Sequence, residues 1–217
     1  MRYVAASLPT ANAAAAAMTA TRLISPISGP LQGRVRPPGS KSLTNRALIC
    51  AALATGESQL DGALVSEDTE VMIEALGQLG VAIRPERAGT HLQVSGMAGR
   101  LSATREPLFV GNSGTTMRFL TAAATLADGP VVIDGVARMR QRPIGDLLAA
   151  LRQLGADVAS LEQVGFPPVR VGGGGLPGGE ATIRGDLSSQ FYSGLLLAAP
   201  YADRDVVLEV DGPLVSV

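Results

Sequence analysis

One unit of sequence is repeated three times along this chain of 217 residues. The copies are PGSKSLTNRALICAALATGESQLDG, VGNSGTTMRFLTAAATLADGPVVIDG and RGDLSSQFYSGLLLAAPYADRDVVLEVDG. Each copy has a glycine followed by small hydroxyl residues, an alanine- and leucine-rich helix, an apolar strand and Asp-Gly. The opening glycines Gly39, Gly111 and Gly185 are 72 and 74 residues apart. A repeat of this length predicts a domain assembled from copies of one supersecondary unit.

A second helix is expected after Asp-Gly in the first two units. It starts at Glu67 in EDTEVMIEALGQLGVAI and at Arg142 in RPIGDLLAALRQLGADV, where Pro143 fits a first helical position. Short strands are expected next, at residues 92–94 and 169–171. Apolar residues recur at helical spacing at Ile144, Leu147, Leu148, Leu151 and Leu154. Each unit therefore predicts strands and two helices around a mixed sheet, an α/β (α+β) fold.

The third unit reaches Gly212 and ends at Val217, where its second helix is expected to begin. We therefore interpret the chain as an incomplete protein with a truncated third unit. The apolar face made to receive that helix is expected to be exposed unless another chain covers it. Residues 1–22 are interpreted as a low-complexity extension, with export or organelle targeting as the alternative, and residues 23–217 as the domain.

The stretch PGSKSLTNRA has the ingredients of a phosphate-binding loop that leads into a helix. A nucleotide P-loop places glycine directly before lysine, whereas Ser40 separates Gly39 from Lys41 here. The second unit start, GNSGTT, lacks the third glycine of a dinucleotide-binding fingerprint. A glycine, an ammonium group, a hydroxyl group and a helix N-terminus together favour some other anion.

The three unit starts are equivalent, so their helix N-termini are expected to converge on one region. Any single start is also explained by ordinary helix capping and turn formation. Together they predict a site for a small molecule with more than one acidic group. The residues so placed are Lys41, Ser42, Arg46, Asn112, Ser113, Gly114, Thr115, Arg118, Ser188, Ser189 and Gln190, and Arg138, Arg140 and Arg142 add positive charge.

Composition disfavours several other classes of function. A net charge of −1 and 3% aromatic residues offer neither a basic face nor stacking platforms for nucleic acid. No apolar run reaches the roughly 20 residues that a membrane span requires. The single cysteine, Cys50, is interpreted as a buried small hydrophobe, and it allows no disulfide within the chain, which fits the cytoplasm. The single histidine, His91, is interpreted as a strand residue, and no Cys/His set for zinc is present.

Five segments together resemble the signatures of the 5-enolpyruvylshikimate-3-phosphate synthase family, the 3-phosphoshikimate 1-carboxyvinyltransferases. They are PGSKSLTNRAL, GNSGTTMRFL, RMRQRPIGDLLAALRQLGA, FPPVRV and GDLSSQF, and the similarity extends from about Ser25 to the C-terminus. The resemblance implies an enolpyruvyl transferase-like fold of two domains with three repeated units each, of which this chain is the N-terminal half. Phe119 stands where many glyphosate-sensitive members have proline, so the response to glyphosate stays open.

The resemblance implies an activity as well. The family transfers the enolpyruvyl group of phosphoenolpyruvate to the 5-hydroxyl of shikimate 3-phosphate and releases phosphate, with no cofactor and no metal. The reaction belongs to chorismate and aromatic amino acid biosynthesis. Because the family's acidic catalytic residues lie in the second domain, activity is expected only with the missing C-terminal half as partner.

Roles for particular residues follow from the same resemblance. Lys41 is the catalytic candidate and contacts both substrates. The implied shikimate 3-phosphate site is Lys41, Ser42, Arg46, Ser188, Ser189, Gln190 and Ser216. The implied phosphoenolpyruvate site is Gly114, Thr115, Arg142 and Gln190.

Two alternatives stay open at this point. The chain could be an isolated fragment that binds shikimate 3-phosphate without catalysis. It could also be the related transferase that acts on UDP-N-acetylglucosamine. That family usually has Lys-Asn in the first loop and a reactive cysteine in the second unit, whereas this chain has Lys41-Ser42 and its cysteine at position 50.

Overall fold

The computed structural model describes residues 29, 30, 32–186 and 188–213. The chain divides into two compact units, Met1–Pro37 and Pro38–Val217. The described residues of the first unit are exposed and form neither helix nor strand. The predictions for residues 1–22 and for Ser216 lie outside the described residues.

The described part of the second unit contains five α-helices and nine β-strands. The helices are α1 (Lys41–Leu53), α2 (Glu67–Gln78), α3 (Gly114–Ala123), α4 (Gly145–Gln153) and α5 (Ser189–Ala198). The strands are β1 (Thr55–Asp61), β2 (Ala82–Glu86), β3 (His91–Met97), β4 (Leu108–Phe109), β5 (Val131–Asp134), β6 (Val158–Ser160), β7 (Val169–Val171), β8 (Gly179–Arg184) and β9 (Val206–Asp211). Among these residues, no helix is both long enough and apolar enough to cross a membrane.

The strands form three separate sheets. The first is antiparallel, with β3 between β1 and β2. The second has the order β4-β5-β7-β6 and is mixed, because β4 pairs in parallel with β5 and the other pairs are antiparallel. The third is the parallel pair β8-β9. The coarse prediction of a mixed α/β fold is confirmed. The strand predicted at residues 92–94 lies within β3, and the strand predicted at residues 169–171 is β7.

Helices α1, α3 and α5 all begin at a serine that caps the helix. The hydroxyl oxygens of Ser40, Ser113 and Ser188 accept hydrogen bonds from backbone N–H groups in the first turn of α1, α3 and α5. These bonds satisfy donors that a helix N-terminus otherwise leaves without a partner. Small hydroxyl residues before an apolar helical run therefore mark the three helix starts.

The glycine before each of these helices lies against the Asp-Gly turn that closes the same sequence repeat, called a segment below. A Cβ atom at Gly39 would collide with the carbonyl oxygen of Gly62. In the second segment the carbonyl oxygen of Gly111 accepts a hydrogen bond from Val136 N, 3.0 Å away. In the third, Gly185 N donates to the carbonyl oxygen of Asp211 over 2.8 Å. Backbone contact of this kind leaves no room for a side chain at Gly39.

Helix α3 lies at the centre of the domain. All of its residues from Gly114 to Ala123 are buried, and it packs against α1 on one side and α5 on the other. Gly194 allows a close approach, since a Cβ atom there would lie 3.2 Å from the carbonyl oxygen of Arg118. Alanine- and glycine-rich helix faces therefore bring the three helix starts together.

Two details of the sequence prediction are wrong. Helix α4 begins at Gly145 rather than near Arg142, because Ile144 has non-helical backbone angles and its N–H donates to the carbonyl oxygen of Gly165 over 2.8 Å. Pro143 therefore precedes the helix. Cys50 is exposed rather than buried, because it lies on the outer face of α1 while its neighbours Ile49 and Ala51 face the core.

The third sheet and α5 leave apolar side chains in contact with solvent. Leu196 on α5 is 57% exposed, and Val207 on β9 is 54% exposed. By contrast, the predicted apolar face of α4 is fully buried, with Leu147, Leu151 and Leu154 at 0% exposure. The exposed Leu196 and Val207 therefore form apolar surface on the outer side of α5 and β9, whereas α4 packs against β8 and α5.

We expect Gly39→Ala to destabilise the domain, because the new methyl group would lie 2.7 Å from Leu64 N and overlap the carbonyl oxygen of Gly62. Overpacking against backbone costs about 2 kcal/mol of the free energy of unfolding. Urea denaturation followed by circular dichroism measures this change. The matched control is Gly77→Ala, at an exposed position of α2 where nothing lies within 4 Å of the new Cβ atom. This variant should gain roughly 0.5–1 kcal/mol in the free energy of unfolding. Equal midpoints for the two variants would contradict the close-contact argument.

Candidate functional site

A cavity of about 380 Å³ opens where the N-terminal ends of α1, α2 and α3 meet the start of α5. Six of the site residues that the family resemblance implies line it, namely Lys41, Ser42, Gly114, Thr115, Arg142 and Gln190. Asn112 and Ser113, from the same predicted turn as Gly114, line it too. The fold therefore brings segments that are about 70 residues apart in sequence to one place.

Four further lining residues were not predicted. Glu67 and Asp68 come from the first turn of α2, Val71 follows one turn later, and Val110 precedes α3. Carboxylates in a first helical turn are well explained by the helix dipole, so their type and position carry no separate signal of a site. The register of α2 against α1 places them in the cavity, and that register is a tertiary property.

The cationic corner of the cavity is built around Gly114. A Cβ atom there would lie 2.6 Å from Arg142 Cζ and 2.7 Å from Arg118 Nη1, so only glycine leaves room for both guanidinium groups. Arg142 Nη1 donates to the carbonyl oxygen of Asn112 over 2.9 Å, which fixes the side chain across the start of α3. None of the ion pairs among the described residues involves Arg118 or Arg142. Of the two, Arg142 lines the cavity, and a guanidinium group beside a helix N-terminus is chemically suited to an anion.

Lys41 occupies the opposite wall. Its Nζ atom lies 3.2 Å from Asp68 Oδ2, and the two side chains are 48% and 29% exposed. A half-exposed pair of this kind is weak, so an anion that enters the cavity can compete for the ammonium group. Lys41 is also the only lysine of the chain.

Gln190 connects α5 to α3 at the floor of the cavity. Its Oε1 atom accepts from Arg118 Nη1 over 2.7 Å, and its Nε2 atom donates to Thr115 Oγ1 over 3.1 Å. Burial, reinforced by the positive charge of Arg142, lowers the pKa of Arg118 to about 10. The guanidinium group therefore remains charged at neutral pH.

Four residues predicted at the helix starts do not line the cavity, namely Arg46, Arg118, Ser188 and Ser189. Arg46 contacts the Ser42 hydroxyl and donates from Nη1 to the Ser42 carbonyl oxygen over 3.1 Å and from Nη2 to Ser193 Oγ over 3.3 Å. Ser188 caps α5 by accepting from Gln190 N over 3.3 Å. The carbonyl oxygen of Ser189 accepts from the Ser193 hydroxyl over 2.6 Å.

Two of the three arginines before α4 have other partners. Arg140 pairs with Asp134 and with Glu162, whose Oε1 atom is 2.9 Å from Arg140 Nη1. Arg138 donates to Gln141 Oε1 over 2.9 Å. Only Arg142 of this group lines the cavity.

The single histidine lies outside the cavity. His91 is a strand residue, as predicted, and it is buried at the start of β3 with its Nδ1 atom 2.6 Å from Asp61 Oδ1. This hydrogen bond lowers the pKa of the Asp61 carboxyl group. No group of three or more His, Cys, Asp or Glu side chains that could hold a metal ion occurs in the described ranges.

Fold and cavity together define a class: an α/β domain with a cavity at converging helix N-termini, lined by Lys41 and Arg142. Residues 26–217 match the family model described as EPSP synthase (3-phosphoshikimate 1-carboxyvinyltransferase). The chain belongs to this family.

Individual relatives agree with this assignment. The 3-phosphoshikimate 1-carboxyvinyltransferase of Rhizobium etli is 51% identical over 195 residues, which is 89% of this chain and 46% of the relative. That of Shewanella piezotolerans is 49% identical over 187 residues, 86% of this chain and 44% of the relative. The structure of EPSP synthase from Acinetobacter baumannii superposes with a TM-score of 0.75 at 31% identity, over 83% of this chain and 41% of that one. The chain thus spans less than half the length of these relatives.

We expect Gly114→Ala to weaken anion binding while the fold persists. The new methyl group displaces the far ends of two flexible side chains, Arg118 and Arg142, so the free energy of unfolding should change by less than about 1 kcal/mol. Losing one well-placed charge-assisted hydrogen bond should weaken the binding of inorganic phosphate about tenfold. Isothermal titration calorimetry measures the affinity, with Gly77→Ala as the control. Unchanged affinity would mean that the anion binds elsewhere.

Proposed function

We propose that this chain is the N-terminal part of an enolpyruvyl transferase that acts on shikimate 3-phosphate. The reaction joins the 5-hydroxyl oxygen to the central carbon of phosphoenolpyruvate and adds a proton to its methylene carbon. The intermediate then loses phosphate and one methyl proton, which leaves the enolpyruvyl ether. The observation that carries the proposal is the convergence of Lys41, Arg142 and Gln190 at the N-terminus of α3.

The phosphoenolpyruvate site is proposed at the cationic corner. Arg142 offers a planar fork that suits a phosphate or carboxylate group, and the backbone at Gly114 lets an anion approach closely. Thr115 shapes the floor through its hydrogen bond from Gln190. Lys41 on the opposite wall is the proposed catalytic residue, because its three N–H donors can follow charge as it develops between the two substrates.

The shikimate 3-phosphate site is proposed beside this corner, along Ser42, Arg46, Ser188 and Ser189, with Ser216 from outside the described residues. The Ser188 hydroxyl oxygen accepts the capping bond from Gln190 N, so its proton is still free to be donated to a phosphate oxygen. Arg46 already contacts the Ser42 hydroxyl, which keeps both side chains at one end of α1. Gln190 would lie between the two substrates.

The rest of the longer protein is the proposed partner. The relatives are more than twice as long as the matched segment, and a further domain would supply the acidic groups that proton transfer needs. Continuing chain would also cover exposed Leu196 and Val207. We propose that residues 23–217 form three repeated units of sheet plus two helices, of which the third is truncated, with residues 1–22 as an extension. The support for this arrangement is the common Ser cap and glycine contact of α1, α3 and α5.

Further aspects of this proposal follow from the reaction. The proposed transfer needs no cofactor and is a step of aromatic amino acid biosynthesis. The single cysteine of the chain suits a cytoplasmic location. The second candidate is a binding fragment without catalysis. It is favoured because Lys41 is the only residue of the predicted site that both lines the cavity and is proposed to transfer a proton. The UDP-N-acetylglucosamine alternative is weaker, since exposed Cys50 on α1 does not line the cavity.

Phosphate release from phosphoenolpyruvate plus shikimate 3-phosphate tests the proposal. We expect no release by the 217-residue chain alone, and release when it is mixed with the C-terminal part of a relative such as that of Rhizobium etli. Lys41→Met should abolish release in the mixture, while Arg138→Met, outside the cavity, should not change it.

A folded mixture that binds shikimate 3-phosphate but releases no phosphate would leave the binding fragment as the better description. Displacement of shikimate 3-phosphate by a uridine nucleotide sugar would favour the related transferase instead.

A further inference from the structure

Arg118 is a buried cation whose charge no carboxylate in the described ranges balances. Its side chain lies in the middle of α3, is only 9% exposed and takes part in none of the ion pairs. Its Nε atom is buried and has no hydrogen-bond partner. Its guanidinium carbon lies 5.1 Å from the centre of the Phe191 ring.

Such a group is unfavourable for stability. Removing a charge from water costs more than is returned by a cation–π contact and by the hydrogen bonds that Nη1 donates to Gln190 Oε1 and, over 3.4 Å, to the Gly114 carbonyl oxygen. The second guanidinium group, that of Arg142, adds repulsion at the same corner. An apolar side chain of similar length would be more stable at this position, so stability does not explain the arginine.

The contact with Gln190 offers an explanation. A guanidinium group can only donate hydrogen bonds, so the amide atom that faces Arg118 Nη1 must be the oxygen of Gln190. The amide nitrogen then faces Thr115, and both Gln190 and Thr115 line the cavity. One of its two N–H groups bonds Thr115, and the other has no partner among the described residues.

We propose that Arg118 is a positioning residue that fixes the Gln190 side chain so that an N–H group, and never the carbonyl oxygen, faces an anionic ligand in the cavity. The inference rests on the proposed function and adds to it by naming the residue that orients the Gln190 amide. The charge of Arg118 lies one hydrogen bond behind that amide, so it also polarises the N–H donor toward the anion. The cost of burying the arginine is recovered when a phosphate or carboxylate group arrives.

A double-mutant cycle tests the positioning role in the 217-residue chain. The variants are Arg118→Met, Gln190→Ala and the two together, with Arg118→Lys as the conservative change and Arg138→Met as the surface control. Calorimetry measures the affinity for inorganic phosphate, and for phosphoenolpyruvate in the presence of shikimate 3-phosphate. Thermal unfolding measures stability, and the side-chain amide signals of Gln190 in a ¹⁵N–¹H spectrum report its environment.

We expect Arg118→Met to weaken anion binding about tenfold, to shift the Gln190 amide signals and to leave the melting temperature unchanged or higher. The double variant should bind no more weakly than Gln190→Ala alone, because Arg118 acts through that amide. Arg118→Lys should recover part of the affinity, and Arg138→Met should match the wild type.

A purely structural role gives different results. A lower melting temperature or loss of folding in Arg118→Met, additive losses in the double variant, or unshifted Gln190 signals would each overturn the inference. Binding of phosphate without any preference for phosphoenolpyruvate would overturn the proposed function and leave the positioning role standing. Failure of the wild type to bind any of these anions would overturn both.

Discussion

Complete burial of one short helix governs the arrangement of this domain. Helix α3 is enclosed on all sides from Gly114 to Ala123, with α1 and α5 as its neighbours. Because a helix that is buried all round can end only where the core ends, its N-terminus marks the edge of the core and the floor of the cavity. The small residues along these helices, such as Gly194, set the distance between them. Side chains from three distant segments can therefore meet around a single helix end.

Two of the three cations near this helix end have no carboxylate partner among the described ion pairs. Lys41 has a partner in Asp68, but Arg118 and Arg142 have none among the ion pairs of the described residues. The glycine at position 114 brings both guanidinium groups to the same peptide. Elsewhere in the domain arginines such as Arg140 and Arg170 are paired with carboxylates. Other arginines outside these ion pairs, such as Arg138, are exposed to solvent, whereas Arg118 is 9% exposed, so burial without a carboxylate partner distinguishes this corner.

Much of the site followed from the sequence because its parts are local. A hydroxyl residue before an apolar helical run predicts a helix start, and three such starts predicted Lys41, Gly114 and Gln190 correctly as neighbours of one cavity. What failed depends on tertiary register. Nothing in the sequence pairs Lys41 with Asp68, and the apolar run around Cys50 cannot tell which residue of α1 faces outward. Pro143 suits a helix start, yet a hydrogen bond between Ile144 and the distant Gly165 delays the helix.

Under the proposed function, occupancy of the cavity affects the lifetime of the folded protein. A ligand that binds only the folded chain adds about 1.4 kcal/mol to its stability for each tenfold excess over its dissociation constant. In a domain that buries an unpaired arginine at 9% exposure, this added stability acts on the part of the core that is least favourable when empty. Proteases that attack transiently unfolded molecules would therefore remove empty chains faster than filled ones. Supply of the ligand would then regulate how much of the protein persists in a cell.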